Sequence, residues 1–315
     1  MTKSLLLRHE TILAALLVIA LVVLSSQSDR FFTLDNLLNQ GRLMAEMGIV
    51  ALAMTFIIVT GGIDLSVGSI LGLVAILLGV FWKNLGLPLP AAIGLAIVCG
   101  SFAGFVNGLI ITRFNVPPLI ATLATLAFYR GLAEGISEAR SVRGYPEWFF
   151  QLGQGDVLGV PTQLWIFLIL AVIAAFILGV TPFGRALYAI GSNAVAARFS
   201  GIPVKRSLIW IYTASGFLAS VAGVIFVSRV STTRSDMGSG LELDVITAVV
   251  LGGTSIFGGR GTIIGTLIGL ALMQALKNGL SLAGVKGDGT IVVIGIVLIG
   301  TVIVSNAFRM NSDGS

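Results

Sequence analysis

The chain has 315 residues, 56% hydrophobic and only 10% charged, with a mean hydropathy of +1.02 and a formal charge of +5. Soluble domains carry about a quarter charged residues, so this composition excludes one and predicts a polytopic membrane protein. Cys99 and His9 are each the only residue of their type, which excludes an intrachain disulfide, a cysteine cluster and a histidine-built metal centre or proton relay.

Apolar runs fall at 11–26, 43–60, 65–82, 89–112, 118–137, 163–180, 207–228, 243–257, 262–282 and 290–307. A crossing helix needs about 20 residues, so the expected fold is all-α with about ten transmembrane helices in one domain over 1–315, the eighth run being short. Lys3 and Arg8 precede the first run as in a signal peptide. Ser25-Ser26-Gln27-Ser28-Asp29 offers no small-x-small cleavage site, so an uncleaved first helix is expected.

Between the second and third runs lies Thr60-Gly61-Gly62-Ile63-Asp64-Leu65-Ser66-Val67-Gly68-Ser69. A carboxylate between uncharged runs is costly in a bilayer, and glycine-broken backbone survives there only inside protein or beside a water-filled cavity. Thr60, Gly61, Gly62, Asp64 and Ser66 are therefore candidate translocation-pathway residues. Asp64 has two readings: a helix cap for the segment starting near Leu65, or an acceptor of substrate hydroxyls. A second segment has the same order of apolar run, glycine pair and glycine-led apolar run. It is Val249-Val-Leu-Gly-Gly-Thr-Ser-Ile-Phe-Gly-Gly-Arg-Gly-Thr-Ile-Ile-Gly-Thr-Leu-Ile-Gly-Leu270, which adds Gly252, Gly253, Gly258 and Gly259 to the candidates. Paired breaks of this kind mark transport pathways between related halves; two unrelated re-entrant turns are the other reading. Glycines at four-residue spacing, Gly100/Gly104/Gly108 and Gly261/Gly265/Gly269, predict helices packed at close range.

The loop 181–207 carries Arg185, Arg198, Lys205 and Arg206 with no acid, whereas 138–162 mixes Arg140 and Arg143 with Glu138, Glu147 and Asp156. The positive-inside rule puts the first loop in the cytoplasm, and ten spans then put both termini there. Within it, Gly191-Ser-Asn-Ala-Val-Ala-Ala-Arg-Phe-Ser-Gly-Ile-Pro203 reads as a short helix. Ser192 or Asn193 caps its start, Gly201 takes the left-handed position at its end, and Pro203 stops it. It is either a membrane-hugging connector or a rigid knob for a partner.

Other chemistry is missing. Neither glycine-rich segment carries the Lys-Ser/Thr of a phosphate loop, and no Gly-x-Ser-x-Gly or His-Glu-x-x-His motif is present. The carboxylates near the run ends, Glu46, Asp64, Glu134, Glu242 and Asp244, form no recognisable acid–base pair in sequence. No basic-aromatic patch suggests nucleic acid, so neither an enzyme nor a nucleic-acid binder is expected.

Three segments together, Gly61 to Gly68, Ala186 to Gly201 and Ala248 to Gly261, resemble the bacterial ABC sugar importer permeases of the ribose, xylose, rhamnose and autoinducer-2 type. The resemblance implies a permease in the inner membrane, working by alternating access. Its implied partners are cytoplasmic ATP-binding cassette subunits, a second permease copy or paralogue, a periplasmic sugar-binding protein, a sugar and membrane lipid. No cofactor is then bound by this chain, ATP being used by the partner. Arg185, Gly191, Asn193, Ala196, Ala197 and Gly201 match the part that docks on the ATPase. Many relatives carry glutamate after the asparagine, where this chain has Ala194. The competing reading is an ion-coupled secondary sugar transporter, for which Asp64 is nearly the only mid-membrane carboxylate.

Overall fold

The computed structural model describes residues 9–300 apart from 27, 139, 288 and 298. The order is α1 (His9–Ser25), α2 (Leu34–Val59), α3 (Val67–Gly79, prolonged by a π-helical turn Val80–Asn84), α4 (Leu89–Arg113) and α5 (Pro118–Ser137). Then come α6 (Glu147–Phe150), a hairpin β1–β2 (Asp156–Val157 and Val160–Pro161), α7 (Thr162–Val180), α8 (Pro182–Ser192) and α9 (Ala194–Phe199). The last named elements are α10 (Val204–Val230), α11 (Leu241–Leu251) and α12 (Ile263–Leu282). Among the described residues seven helices are long and apolar enough to cross a bilayer: α2, α3 with its π turn, α4, α5, α7, α10 and α12.

Four expected spans differ. The first, α1, has 17 residues and is shorter than the seven. The run 243–257 is helical only to Leu251, because Gly252-Gly253 ends it; it is a half-helix followed by irregular chain. The second span starts at Leu34, nine positions before 43, since hydropathy overlooks a first half bearing Asn36, Asn39, Gln40 and Arg42. The tenth run is helical from 289 to 297, and its part beyond 300 lies outside the described residues. The two extramembrane stretches are also more ordered than the sequence shows: α6 and the hairpin occupy 138–162, and α8 occupies the start of the basic loop.

Local chemistry starts and stops these helices. Proline stands in the first turn of α4, α5 and α8, where a missing N–H costs nothing. Thr181 Oγ1 accepts from the Gly184 amide (3.2 Å) and Thr262 Oγ1 from the Gly265 amide (2.9 Å), capping α8 and α12.

The core is α2. Every residue from Ala45 to Thr55 is buried, because α7, α10, α11 and α12 surround it. In lipid no hydrophobic force draws helices together, so contact depends on close approach of backbones. Glycines of the predicted stripes supply it, except Gly261, which precedes α12 and is not helical. Gly104 of α4 lies against the Tyr212 carbonyl and Gly216 of α10, with no room for a Cβ; α12 meets α11 through Gly265 and Gly269 in the same way. Large apolar side chains such as Phe102, Phe128, Val172, Phe176 and Trp210 are exposed on the outside, as a lipid-facing surface requires.

The helix ends gather into two layers. One holds the α2–α3 break, the basic loop and the α11–α12 break. The other holds residues 28–33 and 140–161 and the end of α12, joined by contacts such as Arg42–Asp156 (2.7 Å) and Lys277–Asp244 (2.6 Å), and from it residues 231–240 reach inward to α3, Gly238 against Gly68 and Met237 against Gly72.

Candidate functional site

The two glycine breaks, far apart in sequence, meet in space. α2 ends at Val59; the Ile57 and Ile58 carbonyls are closed by the amides of Thr60 to Gly62, and the Gly259 amide donates to the Val59 carbonyl at 2.8 Å. Gly61 faces the Phe257 carbonyl, and Gly258 stands at the Gly61 amide in a left-handed turn (φ +84°) that only glycine enters cheaply. The basic loop enters the same joint. Gly191, near the end of α8, packs so tightly on the Val59 carbonyl and the Gly259 amide that any Cβ would collide with both. Tyr188 of α8 donates its hydroxyl to the Gly261 carbonyl at 2.6 Å. Backbone from three regions of the chain therefore forms one joint, which brings Gly61, Gly258 and Gly259, expected along the pathway, against Gly191, expected with the docking loop. Gly252 lies apart from it, at the α11–α12 crossing against Gly265, and Gly253 closes α11 in a left-handed conformation.

Asp64 lies behind the joint, fully buried. Its Oδ1 accepts from the Ser66 amide (3.0 Å) and hydroxyl (2.6 Å), and its Oδ2 accepts from the Ser215 hydroxyl of α10 (2.9 Å). Ser66 Oγ in turn accepts from Asn107 of α4 (2.8 Å), and the Tyr129 hydroxyl of α5 lies 3.4 Å from Asn107 Oδ1 while donating to the Ala103 carbonyl (2.9 Å). Thr122 of α5 reaches the Ile63 carbonyl at 3.0 Å. The break is thus tied to α4, α5 and α10 by a buried polar network, with Asp64 as its acceptor at the start of α3. Thr60 and Gly62 serve the turn itself: Thr60 Oγ1 donates to the Ile57 carbonyl (2.7 Å), and Gly62 leaves room for the Tyr212 hydroxyl.

The short helix predicted in the basic loop is α9. Asn193 Oδ1 caps it by accepting from the Val195 and Ala196 amides, both at 3.0 Å, and Gly201 ends it at φ +83°. Ala197 is buried against the body of the protein, whereas Ala196, Val195, Arg198 and Phe199 face outward, Phe199 at 88% exposure. Arg185 sits in α8 with its guanidinium on the Val180 carbonyl (3.0 Å), away from the joint.

A cleft of about 880 Å³ opens between α2, α10, α11 and α12, three of which, α2, α11 and α12, flank the breaks. Its walls carry amides, Gln40, Gln274 and Asn278 among them, and ion pairs. Glu46 accepts from Arg229 in bidentate fashion, Nε–Oε1 at 2.6 Å and Nη2–Oε2 at 3.0 Å, and Asp244 from Lys277 at 2.6 Å. The carboxylates near the run ends are thus not paired with one another for acid–base work; two of them are held by cations.

Residues 36–302 match the family described as "Branched-chain amino acid transport system / permease component". The chain belongs to this permease family. Among its relatives, the ribose import permease protein RbsC of Escherichia coli (strain K12) is 40% identical over 314 residues, covering 97% of this chain and 95% of the relative. The autoinducer 2 import system permease protein LsrD of the same strain is 40% identical over 300 residues, covering 93% and 91%. The ribose import permease protein RbsC of Haemophilus influenzae is 36% identical over 294 residues, covering 92% and 91%. No solved structure matches the chain. As a member of this family the chain is a transport subunit and not an enzyme, and with its apolar helices it is a multi-pass inner-membrane protein.

The permease's cleft is what sequence reading missed. Gln40 and Gln274 carry no motif, and Glu46 and Asp244 stand out only as charges in apolar surroundings. The one available signal was the polar face of the segment before residue 43, which hydropathy discards as too polar to span.

Proposed function

We propose that this permease is the membrane subunit of an ATP-driven importer for a sugar, of the ribose, xylose, rhamnose or autoinducer-2 kind, and that it works by alternating access. The observation that carries the reading is the backbone joint at Val59, Gly191 and Gly259. It connects the outward-facing knob α9 to both breaks through close backbone contacts at Gly191, with the Tyr188 hydroxyl on Gly261 beside them. A push on the basic loop is therefore delivered to the ends of α2 and α12 directly.

In this mechanism the basic loop lies in the cytoplasm, with both termini, and α9 docks on an ATP-binding cassette subunit through Val195, Arg198 and Phe199. Arg185, Asn193, Ala196 and Gly201 shape or border that docking surface, and Ala197 anchors it. The cleft then faces the periplasm, where a sugar-binding protein would release its cargo, while the joint seals the cytoplasmic end. The pathway runs from the cleft past the residues of the two breaks. A second permease copy or paralogue completes the transporter within the lipid, and the ATP is bound by the partner. Closure of the ATPases can drive the cycle only if they bind the two permease states with different affinity, since equal docking to both shifts nothing. An ion-coupled carrier would use Asp64 as its mid-membrane acid. That role is less favoured, because both Asp64 oxygens are engaged by serine donors.

The test is reconstitution in vesicles with the candidate ATPase and binding protein. Sugar-loaded binding protein is expected to stimulate ATP hydrolysis and ATP-dependent uptake. Uptake driven by an ion gradient alone, with no stimulation of hydrolysis, would overturn the proposal.

A further inference from the structure

The cleft holds a recognition element that the family assignment does not supply, and the inference rests on the importer reading above. Gln274 Nε2 donates to Gln40 Oε1 (2.5 Å), and Gln40 Nε2 donates to Asn278 Oδ1 (3.0 Å). This chain of amides crosses from α12 to α2 and back. Each amide has both a donor and an acceptor end, so three joined head to tail leave one of each at the ends of the chain, while Gln40 Nε2 also lies 3.4 Å from Asn36 Oδ1. Here the two ends are Gln274 Oε1 and Asn278 Nδ2, neither of which has a hydrogen-bond partner among the described residues, although Asn278 is only 9% exposed. A sugar hydroxyl both donates and accepts, so it matches such a pair of ends.

The charges of the cleft argue the same way. Its lining includes three acids, Glu46, Asp236 and Asp244, and three bases, Arg229, Arg234 and Lys277. All six are taken up in pairs with one another: Glu46 with Arg229, Asp236 with Arg234 and Asp244 with Lys277. A phosphate or carboxylate entering the cleft would therefore meet only bases already neutralised by an acid, and an ammonium group only acids already neutralised by a base. The volume of about 880 Å³ is ample for a monosaccharide, being in the range of small-molecule sites. The geometry points to Gln40, Gln274 and Asn278 as the permease's own binding site for a neutral, polyhydroxylated ligand, one that excludes sugar phosphates and zwitterionic amino acids independently of the binding protein.

The test takes the permease–ATPase complex in nanodiscs without binding protein, probed by saturation-transfer NMR with ribose, xylose, rhamnose, ribose 5-phosphate and leucine. At least one neutral sugar is expected to receive saturation, while ribose 5-phosphate and leucine are not. Gln274→Leu and Asn278→Leu are each expected to weaken sugar binding by about two- to tenfold, the worth of one neutral hydrogen bond. The same variants are expected to slow uptake in vesicles while ATP hydrolysis stimulated by the binding protein persists, which also shows that they fold and assemble. Should a leucine variant not assemble, Gln274→Asn shortens the chain of amides while keeping its polarity, and is expected to weaken binding as well. The inference is overturned if the amide variants bind and transport like the wild type, or if ribose 5-phosphate or leucine gives a signal equal to the sugars. In either case ATP-driven sugar uptake by the wild type would leave the proposed function standing. Absence of that uptake would remove both.

Discussion

Replacing Asp64 by asparagine and by alanine separates a structural carboxylate from a working one. In Asp64→Asn the shape is kept. The amide oxygen still accepts from the Ser66 amide and hydroxyl, and Nδ2 faces Ser215 Oγ, which can turn to accept instead of donate. The loss is about 1 kcal/mol or less, set against relief from burying a charge that has no salt-bridge partner among the described residues. In Asp64→Ala the Ser66 amide is left as a fixed, buried donor, which costs about 1–3 kcal/mol, and a small cavity adds about 1 kcal/mol. The two serine hydroxyls are rotors and can redirect to backbone carbonyls, so their share is smaller. The alanine variant is thus expected to lose about 2–4 kcal/mol, and the asparagine variant almost nothing. Thermal unfolding of the detergent-solubilised protein gives the order of stability, and uptake in vesicles gives the function. Asp64→Asn is expected to fold, insert and transport at a moderately reduced rate. If it inserts with wild-type stability yet transports nothing, the charge itself acts on the substrate or on a proton, and the capping argument is wrong.

Other substitutions test the remaining contacts. Gly104→Ala puts a methyl group into the Tyr212 carbonyl of α10 and should sharply reduce folded yield, whereas Gly131→Ala, with open space around it, should not; fluorescence-detected size exclusion compares the two. Glu46→Gln removes one charge of the bidentate pair and leaves Arg229, 25% exposed, without a counter-ion, for a loss of about 1–3 kcal/mol in thermal unfolding. Exchanging the pair, Glu46→Arg with Arg229→Glu, should recover part of it. Phe199→Ala removes an exposed ring and should leave the permease's thermal stability unchanged while weakening co-purification of the ATPase; a stability loss equal to that of a buried phenylalanine would show that the ring serves the fold instead.

What the sequence disclosed was mostly local. Asn193 followed by a short apolar stretch, Gly201 and Pro203 is a complete set of helix start and stop signals, and α9 follows it to within a residue. Glycines four apart announced the α4 and α12 crossings because a helix repeats its face at that interval. The break at Thr60–Ser66 was legible because charge and glycine are rare within apolar runs. What could not be read were partners brought together only by packing. Nothing near Asp64 in sequence indicates Ser215, and nothing near Gln40 indicates Gln274. The start of α2 was missed for a related reason: its polar residues suit a helix that faces a wet cleft and not lipid, and hydropathy averages over both faces.

The backbone joint also constrains how the protein is made. α1 and α2 are made early in synthesis, but the amide that satisfies the Val59 carbonyl belongs to Gly259, and the surface that closes over it includes Gly191. Until residue 259 has been made, the end of α2 must persist with an unfilled acceptor or borrow water, since a buried carbonyl does not go unpaired. The contact is among the most distant in sequence in the fold, and such contacts form late because the intervening chain must first be ordered. The joint that we propose transmits force is therefore also the latch of assembly. A chain released before residue 259 would hold most of its spans yet leave α2 unlatched, and a quality-control protease could recognise the difference.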